Sequence, residues 1–122
     1  MSAPPGCTGP ARPTRLFLRL GEAPLDTLCH LIYPASTPFR ATSSTDLVLH
    51  DRHGAEVARR RVAIPCSGSL FWRYHEMFDT AARRAAGSGA YAIVRDVTCR
   101  LFGYHGLRGA GGAFSLDHMF GF

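Results

Sequence analysis

The chain has 122 residues, 46% of them apolar, and a formal net charge of +5. That length and apolar content fit one folded domain and exclude a disordered chain, and no apolar run approaches the length of a membrane span. All fourteen basic residues are arginine, a side chain whose rigid fork suits phosphate and carboxylate.

The first thirteen residues, MSAPPGCTGPARP, are rich in proline and glycine and lack the apolar segment of an export signal. They read as a flexible lead-in, residues 1–13, ahead of a single β-rich domain over residues 14–122. The missing signal points to a cytoplasmic protein and, with no CxxC spacing among Cys7, Cys29, Cys66 and Cys99, to free thiols.

Thr14 to Leu20 alternates as a strand, with Leu16, Leu18 and Leu20 on one face and Phe17 and Arg19 on the other. Leu25 to Tyr33 fits two patterns. Leu28, Leu31 and Ile32 suit a helical turn, whereas Cys29, Leu31 and Tyr33 suit a strand, and Pro34 ends either. The segment LVLHDRHGAEVARRRVAI is the clearest hairpin, with Gly54 free to take a positive φ in the turn. Its returning strand puts Arg59 and Arg61 on one face and Arg60 on the other.

After a break at Pro65 to Ser69, the pattern predicts a short strand over Leu70 to Tyr74 and then one helix over residues 76–86. Phe78, Ala81, Ala82 and Ala85 would be its apolar side, and Asp79 and Arg83 an i,i+4 pair. Gly87 and Gly89 end it. Ala90 to Val97 reads as a central strand. Thr98 to Tyr104 continues it or follows a bend, 107–112 is a glycine-rich bend, and Ala113 to Met119 is a last strand. Several short strands and one helix make no βαβ pattern. The expected fold is mainly β, a small antiparallel β-sandwich, Ig-like in general shape.

Six histidines are candidates for chemistry. His75 sits at the strand-to-helix junction, where Glu76 or Asp79 can orient its imidazole for proton transfer. Tyr104 and His105 precede the glycine-rich bend, and Asp117 and His118 follow it. A closed bend brings these pairs together. His105 or His118 would then act as base, an aspartate as orienter, and Arg100 or Arg108 as stabiliser of anionic charge. The catalytic candidates are therefore His75, Tyr104, His105, Asp117 and His118. Trp72, Arg100, Arg108 and Phe120 are the ligand-binding candidates.

Three functions compete on this basis. The leading one is a binding or protein-interaction domain with an aromatic, histidine-lined pocket, taking a small apolar or anionic ligand. The second is a small enzyme using histidine acid–base catalysis on an organic substrate. The third is a metal-binding protein using His75, His105, His118 and Asp117, although no regular ligand spacing marks a metal, and no cofactor is implied. A C-terminus ending in Phe120-Gly121-Phe122 suggests a homo-oligomer contact. Nucleic acid is disfavoured, because the basic charge is modest and the aromatic residues do not interleave with a long basic stripe.

Overall fold

The computed structural model describes residues 14–21, 26–34, 41–97 and 99–109, and the backbone of 114–118 and 120–121. The lead-in over residues 1–13, Cys7 and Phe122 lie outside the described residues.

Nine strands are described: β1 Thr14–Arg19, β2 Asp26–Ile32, β3 Thr45–His50, β4 Glu56–Val62, β5 Ser69–Arg73, β6 Tyr91–Asp96, β7 Phe102–Arg108, β8 Phe114–His118 and β9 Phe120–Gly121. They form a five-stranded sheet, in the order β4-β3-β6-β1-β9, and a four-stranded sheet, in the order β5-β2-β7-β8. All pairings are antiparallel. Of the strands adjacent in sequence, β3–β4 and β7–β8 pair as hairpins; the other connections described pass between sheets.

Strand alternation explains why one core forms. Leu16 and Leu18 of β1, Leu47 and Leu49 of β3, and Ala92 and Val94 of β6 turn inward from the larger sheet. Cys29, Leu31 and Trp72 meet them from the smaller one. Period-two patterning thus gives each sheet one apolar face, and the two faces share one cluster.

β2 resolves as a strand, burying Cys29, Leu31 and then Tyr33. Leu28, on the other face, is buried too, and α1 (Tyr74–Met77) packs against this strand. Burial on both faces is what made the segment look helical.

The single helix expected over residues 76–86 is divided into α1 and α2 (Thr80–Ala86). Phe78 takes an extended conformation, φ −119° and ψ 135°, and is fully buried. Asp79 is the N-cap of α2, accepting from the Ala82 N–H at 2.8 Å. It is spent on the cap, and Arg83 instead donates to the Phe78 carbonyl at 3.1 Å. The expected Asp79–Arg83 pair is replaced by these two contacts.

The crossover from β6 to β7 is fastened by Asp96, buried to 1% exposure. Its Oδ2 accepts from Ser44 N–H and the Thr45 hydroxyl, both at 3.0 Å, and its Oδ1 accepts from Cys99 N–H at 2.8 Å. The buried Thr14 hydroxyl donates to the Cys99 carbonyl at 2.7 Å and accepts from Leu101 N–H at 2.8 Å. These bonds answer the backbone groups that leave the ladder here.

Cys29, Cys66 and Cys99 are free thiols, the first and last buried. Burial pushes the Cys29 thiol up, against a smaller opposing effect of the neighbouring Trp72 indole. Since the thiolate is the reactive form, native protein treated with iodoacetamide at pH 8 is expected to label at Cys66. Cys29 and Cys99 should label only after denaturant is added. Peptide mapping by mass spectrometry reads this directly, and native labelling of Cys29 as fast as Cys66 would contradict the packing.

Candidate functional site

All the candidate residues but Phe120 gather on and around the four-stranded sheet. Its register sorts them into rows. Phe71 of β5 lies beside His30 of β2, which lies beside Tyr104 of β7, which pairs with His118 of β8. The next row reads Trp72, Cys29, His105 and Asp117. The β7–β8 hairpin therefore does bring the two pairs flanking the bend into register.

Successive strand residues face opposite ways, so Tyr104 and His105 do not share a pocket. His105 belongs to the row of buried Cys29 and Trp72, on the core face. Tyr104 belongs to the row of half-exposed His30 and exposed Phe71, on the outer face. Trp72, a ligand-binding candidate, is buried and meets Phe78 edge-on at 6.5 Å between ring centroids. Arg108 lies across from Asp26 at the end of β7. The Arg100 guanidinium sits 5.4 Å from the Phe102 ring centroid. Phe120 pairs by its backbone with Phe17, so it belongs to the other sheet.

His75 has a partner that sequence reasoning missed. Its Nδ1 lies 3.0 Å from Oδ1 of Asp26, on β2. That oxygen is buried, and no hydrogen bond among the described residues satisfies it. The imidazole is half-exposed while the aspartate is largely covered. Glu76 instead lies 3.5 Å from Arg73, and Asp79 is the helix cap. The His75–Asp26 contact is thus an ion pair when the imidazole is protonated, without the hydrogen bond that would fix its tautomer. The only sequence signal for Asp26 was its place at the start of an apolar segment.

The hairpin turn uses its titratable groups structurally. Asp51 Oδ1 accepts from Ala55 N–H at 3.0 Å and His53 N–H at 2.9 Å, and the Ala55 bond foremost holds its carboxyl below the usual range. His50 stacks on Tyr91 at 4.9 Å between centroids. Among the described residues no three histidine, cysteine, aspartate or glutamate side chains come together as a metal site.

The smaller sheet's outer face carries two of the three large hydrophobic residues found exposed among the described residues. Phe71 is 54% and Phe102 49% exposed. His30 meets Phe71 edge-on at 6.4 Å, and Ile32 pairs with Phe102. Phe71, His30, Tyr104, Ile32 and Phe102 thus form an aromatic patch on adjacent strands. No described helix is long and apolar enough to cross a membrane. No protein-family model, curated protein or solved structure matches this chain.

Proposed function

We propose that residues 14–122 form one β-sandwich domain, Ig-like in general shape, whose function is protein–protein association through the outer face of the four-stranded sheet. The exposed Phe71 and Phe102, joined by His30, Ile32 and Tyr104 into one patch, carry this reading. Aromatic residues contribute more to association than most side chains, and contiguous exposed apolar surface marks interaction sites. The occupant is a second copy of the chain, since a flat aromatic strip is complementary to itself across a two-fold axis. The sandwich shape is supported by the core that both sheets share. A cytoplasmic setting is supported by the three free thiols.

Sedimentation over a range of protein concentrations tests the reading. The native chain is expected to pass from monomer to dimer as concentration rises, and the Phe71→Ser/Phe102→Ser variant to remain monomeric while folded. A native chain monomeric throughout, or a variant that dimerises equally well, would refute association through this face.

A further inference from the structure

The arginines that look scattered in sequence meet on the outer face of the five-stranded sheet. Its register gives three outward rows. The first is Arg61, Asp46, Arg95 and Arg15. The second is Arg59, Val48, Ile93 and Phe17, and the third is Glu56, His50, Tyr91 and Arg19. All five arginines are exposed. The two carboxylates are engaged from the β4 side: Arg61 reaches Asp46 at 2.9 Å, and Arg59 reaches Glu56 at 2.7 Å. Arg15, Arg19 and Arg95 extend the positive surface over β1 and β6.

Rings lie between these charges. Tyr91 is stacked with His50 at an interplanar angle of 8° and lies 5.1 Å from Phe17, centroid to centroid. All three are half-exposed. The first and third rows stand about 13 Å apart, four residues of strand rise. From β4 to β1 is about 14 Å, three strand spacings. Such a face is wide enough for about two or three stacked bases.

We propose that this face binds single-stranded nucleic acid. Guanidinium groups around an aromatic strip match a ligand with regular negative charge and exposed flat bases. A duplex hides its base faces, and a sheet of this width does not enter a groove. An acidic peptide or sulfated sugar answers the arginines but leaves the rings without a use. Sequence alone concealed the surface because its arginines come from three strands, and register is needed to align them. Of the Arg59-Arg60-Arg61 run, Arg60 turns away and donates to the Met77 carbonyl at 2.9 Å.

Fluorescence anisotropy with labelled fifteen-nucleotide oligo(dT) and oligo(U), beside a duplex, heparin and polyglutamate, tests the proposal. Single strands are expected to bind tightest. With three phosphate contacts, affinity should fall roughly twentyfold between 50 and 200 mM salt. Arg19→Gln/Arg95→Gln should flatten that dependence and weaken binding of every polyanion. Tyr91→Leu should weaken single strands at least about fivefold, the lower limit for one lost base stack, and leave heparin unchanged. Phe71→Ser, on the opposite sheet, should change neither at protein concentrations where the native chain is monomeric. Absence of single-strand binding at 50 mM salt overturns the proposal. So does equal binding of heparin or polyglutamate, or a Tyr91→Leu variant, folded by circular dichroism, that binds oligo(dT) as the native chain does.

Discussion

Replacing Asp96 by alanine is expected to lower unfolding free energy by about 4 kcal/mol, enough to unfold a domain of ordinary stability at modest urea concentration. The Ser44 and Cys99 N–H groups would lose their acceptor in a place water does not reach. Each buried donor left alone costs roughly 1–3 kcal/mol. Thr45 suffers less, because its hydroxyl also bonds Ser43 Oγ at 2.8 Å. Relief from burying a carboxylate offsets part of the loss, which keeps the figure below the sum of the bonds. Asp96→Asn should cost about half as much. Its one amide oxygen can serve Ser44 and Thr45 or Cys99, and its NH2 then faces a donor on the other side. Urea denaturation followed by circular dichroism measures both variants. An alanine variant within about 1 kcal/mol of the native chain would mean that this network stabilises little.

Phe78→Ala is the second large effect, expected at about 3–5 kcal/mol. The ring lies edge-on to Trp72 and Tyr74, at 6.5 and 6.1 Å, and is 2% exposed. Its loss leaves a cavity under both short helices. It also removes the side chain whose burial fixes the break between them. The Phe78 N–H donates to Tyr74 and its carbonyl accepts from Arg83, so the backbone there is held from both sides. Phe78→Leu should cost about 1–1.5 kcal/mol, in keeping with a swap that retains most of the volume. Trp72 is the single tryptophan, so its fluorescence reports the change without interference. Equal stability of the alanine and leucine variants would show that the ring does not carry the packing.

Much of the larger sheet was legible in sequence because β1 and β6 alternate cleanly and the Gly54 turn, φ 87°, joins β3 to β4. β2 was ambiguous because Leu28 is covered on the face that alternation leaves to solvent. The helix was drawn too long because Asp79 suits both an i,i+4 pair and an N-cap, and only the buried Phe78 decides between them. β7 runs through Gly103 and Gly106, which weaken a strand signal, and so it reaches further toward the bend than expected.

The candidate site was legible in part for a similar reason. Pairing across the bend could be anticipated, and it sets Tyr104 against His118 and His105 against Asp117. The step from Tyr104 to His105, however, turns the two side chains to opposite faces. Asp26 and His75 meet only through tertiary packing, which no local pattern records.

The shared core has a consequence for valency. It fixes the aromatic face and the arginine face on opposite sides of one rigid layer. Two copies joined through the first would hold two copies of the second pointing apart. A strand long enough to reach around both would then bind its second site intramolecularly, at an effective concentration set by its own length. Dimerisation and nucleic-acid affinity would rise together, and a strand too short to span the pair would not register the dimer at all.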